Sequence, residues 1–155
     1  FAQVDHTPES MTKYIHEFSI SASNRILFLV YLEGFPIGHL GLSNCTNFSA
    51  ELDNVIRGEK SIAPGSMSLA LKGLVEWAQW SLGIGQMTLL VKKGNAAALK
   101  FYENFGFVHP ASRQAALPQL TDRQGTRRVQ DTDDALAMSM QLPRLQKRAS
   151  AEISD

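Results

Sequence analysis

A mixed α/β domain is what this sequence predicts: a mostly antiparallel central sheet with helices on both faces. Three observations carry the prediction. Three β-forming segments follow one another between residues 25 and 58 with short turns between them. A long amphipathic segment over 66–82 then leads into a buried β-former run, QMTLLVKK, and such a strand–helix–strand unit closes as a parallel, right-handed crossover. A second helical segment, NAAALKFYENFGF, opens on an asparagine and closes on a glycine, as helices do.

The elements follow in order. TPESMTKYIHEFSIS reads as a helix, with Thr7 to cap it, Pro8 in the first turn and Glu9 at its positive end. Met11, Tyr14, Ile15 and Phe18 share one face. RILFLVYL (25–32) is dense in β-formers and PIGHLGLSN follows after the turn EGFP, so the two predict a hairpin. Gly38 and Gly41 interrupt that second strand, which predicts a bulge or a close backbone approach. AELDNVIRG (50–58) is the third strand, with Leu52, Asn54 and Ile56 on one side and Glu51, Asp53, Val55 and Arg57 on the other. The segment from Phe107 reads as a further strand, and ALAMSMQL (135–142) as the last. Residues 113–134 read as a long polar loop. Residues 1–143 are expected to form one domain, and 144–155 a disordered tail. The chain starts at Phe1, and a strand and a helix are expected upstream of it.

The bulk properties narrow the function. The 155 residues suit one domain, 44% apolar and 19% charged. Lys+Arg and Asp+Glu both number 15, so net charge offers no general attraction to nucleic acid or to an anionic membrane. No apolar run is long enough to span a bilayer as a helix. The single cysteine, Cys45, makes no internal disulfide and suits a small, half-buried strand-end position in a reducing, cytoplasmic compartment. No His/Cys cluster has metal-ligand spacing, so no metal is expected. G-x-G-x-x-G after a strand is absent, which removes a dinucleotide-binding reading.

The most specific pattern is N-x-x-A-x-x-F-Y-x-x-x-G-F, formed by Asn95, Ala98, Phe101, Tyr102, Gly106 and Phe107. A capped core helix accounts for much of it, but its context, directly after a strand that itself follows a strand–loop–helix unit, adds to it. With PIGHLGL and AELD upstream, the chain from about Pro8 to Val108 resembles the GNAT superfamily of acyl-CoA-dependent N-acetyltransferases.

The resemblance implies acetyl-CoA as co-substrate and direct attack of a primary amine on the thioester. It implies that strands 50–58 and 86–93 splay, so that backbone groups near Val55 and Ile56 pair with the pantetheine arm as an added strand would. It places the pyrophosphate in the loop VIRGEKSIAPGSM, at the start of the next helix. The family's loop pattern is Q/R-x-x-G-x-G/A; here Ser61, Pro64 and Ser66 occupy its three places, and every one departs. Pro64 has no N–H to give, while Gly65, Ser66, Met67 and Ser68 still present theirs at a helix N-terminus. Tyr102 takes the place of the acid that protonates the departing thiolate. Asn95 and Ala98 border the cofactor, although Asn95 serves equally as a helix cap.

On the amine side, Glu51 is the candidate base, and Asp53, Asn54, Arg57 and His39 are candidate acceptor contacts; surface pairing among these polar groups is the alternative. The approach from the first helix through the hairpin resembles a branch that contains amino-sugar acetyltransferases, so a nucleotide-linked amino sugar or another small amine is the expected acceptor. Arg113, Arg123, Arg127 and Arg128 either meet a phosphorylated acceptor or form a solvated basic loop. Other readings are a protein N-terminal acetyltransferase and an acyl-CoA sensor without turnover. A homodimer, or fusion to an upstream segment, is compatible with all of them.

Overall fold

Thr7 opens the first helix as its sequence predicts: the Thr7 hydroxyl accepts from the Ser10 N–H at 3.2 Å, and Pro8 follows it. In this computed structural model, which describes residues 7–58, 64–109 and 135–143, helix α1 covers Pro8–Ile15 and widens into a π-helical turn, His16–Ile20. Strand β1 (Ile26–Leu32) and strand β2 (Phe35–Ser43) form the hairpin, and β3 (Ser49–Arg57) adds to β2. Helix α2 (Ser66–Leu82) crosses to β4 (Gln86–Lys92), helix α3 (Ala96–Phe105) follows, and β5 (Ala135–Gln141) completes the sheet.

The sheet order is β1-β2-β3-β4-β5. Three of its junctions are antiparallel and β3–β4 alone is parallel, the arrangement that the crossover through α2 demands. The segment after Phe107 departs from the strand expected there. Among the described residues it makes one isolated bridge, Val108 with Ser139, and no ladder.

The core lies between α2 and one face of the sheet. Leu40, Leu42 and Leu52 from the strands meet Met67, Leu71, Leu74 and Ala78 from α2, all buried. The Phe28 ring stands edge-on to Trp77 with centroids 5.1 Å apart. On the other half of the sheet Met87, Leu89 and Met138 continue the same core, and Tyr102 and Phe107 close it with rings 5.8 Å apart. Cys45 packs half-buried against this core, as expected of it.

Both interrupting glycines answer to close backbone approach. A Cβ at Gly41 would stand 2.6 Å from the Ile26 carbonyl oxygen, and one at Gly38 would stand 2.5 Å from that of Ile56. The β2–β3 register also shifts. His39 pairs with Ile56 but Gly41 pairs with Asp53, so β3 carries one extra residue there, and Asn54 within it has φ +50°.

Candidate active site

The base of the site is pinned by backbone. The Phe48 carbonyl accepts from the Gly85 N–H at 2.7 Å and from the Gln86 N–H at 3.1 Å, which starts β3 and β4 side by side. The parallel ladder then joins Ser49 with Gln86, Ala50 with Met87 and Glu51 with Thr88, and ends there. Beyond that point β3 runs on to Arg57 and β4 to Lys92 without pairing to each other. The two strands part in a V whose inner edges bear backbone groups that the ladder does not use.

Glu51 stands at the closed end of this V. Residues paired across a ladder point to the same face, so Glu51 shares its face with Ser43 on β2 and with the buried Thr88 on β4. Asn44, just past β2, donates from Nδ2 to Glu51 Oε2 at 2.7 Å. Burial pushes the Glu51 carboxyl above the ordinary carboxylate range; the Asn44 hydrogen bond pulls back, Asp53 adds to the rise and Arg25 opposes it.

Asp53 is the next residue along on the same face. Its Oδ2 lies 2.7 Å from Arg25 Nη2 in a partly buried ion pair, and its Oδ1 accepts from the Asn54 N–H at 2.7 Å. Tyr102, 9% exposed, reaches into the field of Asp53: burial first, then that carboxylate, holds its phenol above the usual tyrosine value. Glu51, Asp53, Arg25 and Tyr102 are thus one electrostatic group, drawn from β3, the approach to β1, and α3.

The residues past Asp53 do not alternate as the sequence predicts. The extra residue at the bulge advances the phase of the strand by one. Val55 packs against the core although it was expected on the side of Glu51 and Asp53, and Ile56, expected with Leu52, is 50% exposed. Asn54 turns through the left-handed region at the bulge itself, and Arg57 is exposed at the strand end, opposite Gly38.

His39 lies between Leu29 on β1 and Ile56 on β3 in one cross-strand row. Its Nδ1 is buried without a hydrogen-bond partner among the described residues. A bare lone pair costs less there than an unsatisfied N–H, so the proton of the neutral ring belongs on Nε2, which makes His39 a donor.

At the opposite end of the V, Gly65 precedes α2 with φ +88° and no side chain caps the helix. The N–H groups of Ser66, Met67 and Ser68 belong to the first turn and have no acceptor within the helix. The Met67 side chain is in the core, so only its backbone is available to a ligand. Asn95 is committed to its helix: its Oδ1 accepts from the Ala98 N–H at 3.1 Å, and Ala98 packs partly buried on the core. Ser61, Arg113, Arg123, Arg127 and Arg128 lie outside the described residues.

Arg25, Asn44 and Thr88 are site residues that the sequence reading missed. Asn44 alone left a signal, an asparagine directly after a strand, where a left-handed turn is common; its φ is +50°. Among the described residues no group of His, Cys, Asp and Glu is placed to hold a metal, and no helix is long and apolar enough to cross a membrane.

The model of the acetyltransferase (GNAT) family matches residues 2–107. Among solved structures, a GNAT family acetyltransferase from Elizabethkingia anophelis with acetyl-CoA bound superposes at TM-score 0.60 with 17% identity, over 90% of this chain and 86% of that one. The Campylobacter jejuni N-acetyltransferase PseH in complex with acetyl coenzyme A gives 0.59 and 19%, over 87% and 79%. A spermidine N-acetyltransferase from Vibrio cholerae in complex with CoA and spermine gives 0.64 and 17%, over 90% and 78%. No curated protein matches the chain. The family model covers most of the chain, and the chain belongs to the acetyltransferase (GNAT) family, as an N-acetyltransferase with acetyl-CoA as co-substrate.

Proposed function

We propose that this enzyme acetylates the single primary amine of a small molecule, with Glu51 as the base and Tyr102 as the acid. The observation that carries the reading is the end of the β3–β4 ladder at Glu51 and Thr88. It leaves a slot for an extended pantetheine arm and sets a half-buried carboxyl at the point where the slot closes.

The chemistry follows from proton affinities. An alkylammonium, pKa about 10.4 if it resembles lysine, must lose a proton before it attacks, and an ordinary carboxylate is a weak base for that. Burial raises Glu51 towards the working range. The freed amine nitrogen attacks the thioester carbonyl, the C–N bond forms, and the tetrahedral intermediate collapses with loss of the C–S bond, while the nitrogen gives its second proton to solvent and Glu51 later returns the first. Tyr102 gives its proton to sulfur. Transfer from a phenol held above 10 to a free thiolate near 8.5 is uphill, so the phenol acts while charge is still building on sulfur and afterwards recovers a proton from solvent. One proton is released per turnover. His39, donating from Nε2, serves the acceptor, and the first-turn N–H groups of α2 serve the cofactor phosphates.

The charge of the cleft favours a monoamine. Of the two carboxylates that β3 carries into it, Asp53 is neutralised by Arg25 and Glu51 is pushed towards its neutral form. A polyamine, the class that the Vibrio cholerae enzyme's name and bound ligand represent, carries several positive charges, which this pair of carboxylates does little to attract. A nucleotide-linked amino sugar is the leading acceptor. The test is thiol release from acetyl-CoA with a panel of nucleotide-linked and free amino sugars beside spermidine. Turnover of an amino sugar in preference to spermidine supports the reading, and the reverse order overturns it.

A further inference from the structure

Two asparagines stand behind the base. Asn44 follows Ser43, the residue that pairs with Glu51, so its backbone is fixed by the same ladder. Its Nδ2 donates to Glu51 Oε2 at 2.7 Å, while its Oδ1 accepts from Asn24 Nδ2 at 3.5 Å. The Asn24 contact sits at the long limit of a hydrogen bond and orients more than it binds. An amide held from behind in this way presents its N–H to one carboxylate oxygen and cannot turn to offer its carbonyl without losing both partners.

From this geometry we infer that Asn44 is a positioning residue for acetyl transfer: it commits Oε2 of Glu51 as a hydrogen-bond acceptor, which leaves Oε1 to take the proton of the incoming amine and fixes the pH at which it can do so. The inference rests on Glu51 being the base. The physical content is twofold. A carboxylate anchored through one oxygen loses the rotation that would carry the other away from the amine. A donor aimed at the charged form also stabilises that form, which works against desolvation. Other groups face Glu51 as well: Asp53 along β3, Arg25 ahead of β1, Thr88 on β4, and Tyr102 on α3, which shares the field of Asp53. The Asn44 amide donates directly to Oε2 at 2.7 Å.

The backbone at Asn44 allows a clean test. Its φ of +50° is open to glycine without strain, so Asn44→Gly removes the amide and spares the turn. Asn44→Asp keeps the shape and the tolerance for that φ but replaces the donor with a negative oxygen. The measurement is kcat/KM against pH for both variants and for Glu51→Gln, with acetyl-CoA KM and melting temperature alongside. In Asn44→Gly the acid limb moves up by about half to one pH unit, so that kcat/KM below the limb falls roughly three- to tenfold. In Asn44→Asp it moves further, because a like charge now stands beside the carboxyl. Acetyl-CoA KM does not change in either. A limb that stays in place in both variants overturns the inference and reduces Asn44 to a turn residue, provided that Glu51→Gln abolishes the limb. If Glu51→Gln keeps the limb and the rate, Glu51 is not the base, and that reading and this inference fall together.

Discussion

Glu51 and Thr88 are the last residues that β3 and β4 share before the strands part. The base candidate therefore sits at the vertex of the V between β3 and β4, held by the ladder on one side and by Asn44 on the other. Several consequences can be measured.

Replacing Glu51 by Gln lowers kcat/KM by about 10²- to 10⁴-fold, the usual worth of a general base, and leaves acetyl-CoA affinity unchanged. The same change acts on stability with a definite sign. The folded carboxyl has its pKa raised above 4.5, so the folded state binds more protons than the unfolded one across the window from 4.5 up to the raised value. Stability from this group is complete below that window and is lost as pH rises through it. Glu51→Gln should thus melt at or above the wild-type temperature at pH 7, with a flatter melting temperature between pH 4.5 and 7. A fall at pH 7 would contradict the desolvation account.

Tyr102→Phe should keep the fold, because the ring retains its edge contacts with Phe101 and Phe107 at 5.2 and 5.8 Å. Its kcat drops roughly 10²-fold or more with acetyl-CoA, at constant KM for the cofactor. The informative control is an acetyl thioester with a more acidic thiol. That leaving group needs less help from the phenol, so the defect shrinks. An equal defect with both donors would remove Tyr102 from the thiolate step.

Asp53 and Arg25 should move the pH profile in opposite directions. Asp53 raises both Glu51 and Tyr102, whereas Arg25 lowers Glu51. In Asp53→Asn the acid limb of kcat/KM therefore shifts to lower pH, and in Arg25→Gln it shifts to higher pH. Arg25→Gln is also the less stable variant, since it leaves a partly buried carboxylate without its ion partner. Limbs that move together would mean that the two residues act through structure and not through charge.

An added negative charge at the start of α2 tests the phosphate site. Ser66→Asp favours the helix by about 0.3–1 kcal/mol through the dipole, so the melting temperature holds or rises, while CoA binding weakens by repulsion. Isothermal titration with CoA reads the second effect. Unchanged affinity would place the pyrophosphate elsewhere.

Gly41→Ala puts a Cβ 2.6 Å from the Ile26 carbonyl oxygen, a contact that backbone must yield to relieve. A loss of about 1–3 kcal/mol is expected, which corresponds to roughly 2–4 °C in melting temperature per kcal/mol for a domain of this size. Thermal melts at one pH decide it.

Much of this architecture is legible in the sequence because local signals agree. Helix α2 begins at Ser66 and ends at Leu82, where the apolar stripe and Gly83 place it, and the hairpin, the third strand and the Asn95 cap fall within a residue or two of expectation. What is not legible depends on partners distant along the chain. Nothing in the spacing ties Arg25 to Asp53, or Asn44 to Glu51; only the stacking of β1, β2 and β3 brings them together. The bulge escaped for a different reason. Its signal lies in the pattern and was passed over: Asp53 and Asn54 are polar in succession and Val55 and Ile56 apolar in succession, so the alternation breaks at an asparagine, a residue that tolerates φ +50° at small cost. The segment at Phe107 misleads in the other direction: its β-forming residues contribute one ring to the core and one bridge at Val108.

The extra residue in β3 also works as a partition within a single strand. Up to Asp53 the side chains keep one alternation, set by β2 and, as far as Glu51, by β4; after Asn54 they follow a separate count that reaches outward to Ile56 and Arg57. Under the proposed reading, substitutions at those two outer positions retune what the enzyme accepts while Glu51, five residues before Ile56, stays untouched. Deleting Asn54 would join the two counts into one regular ladder, with Val55 opposite Leu40 and Ile56 still opposite His39, and erase that independence in one step.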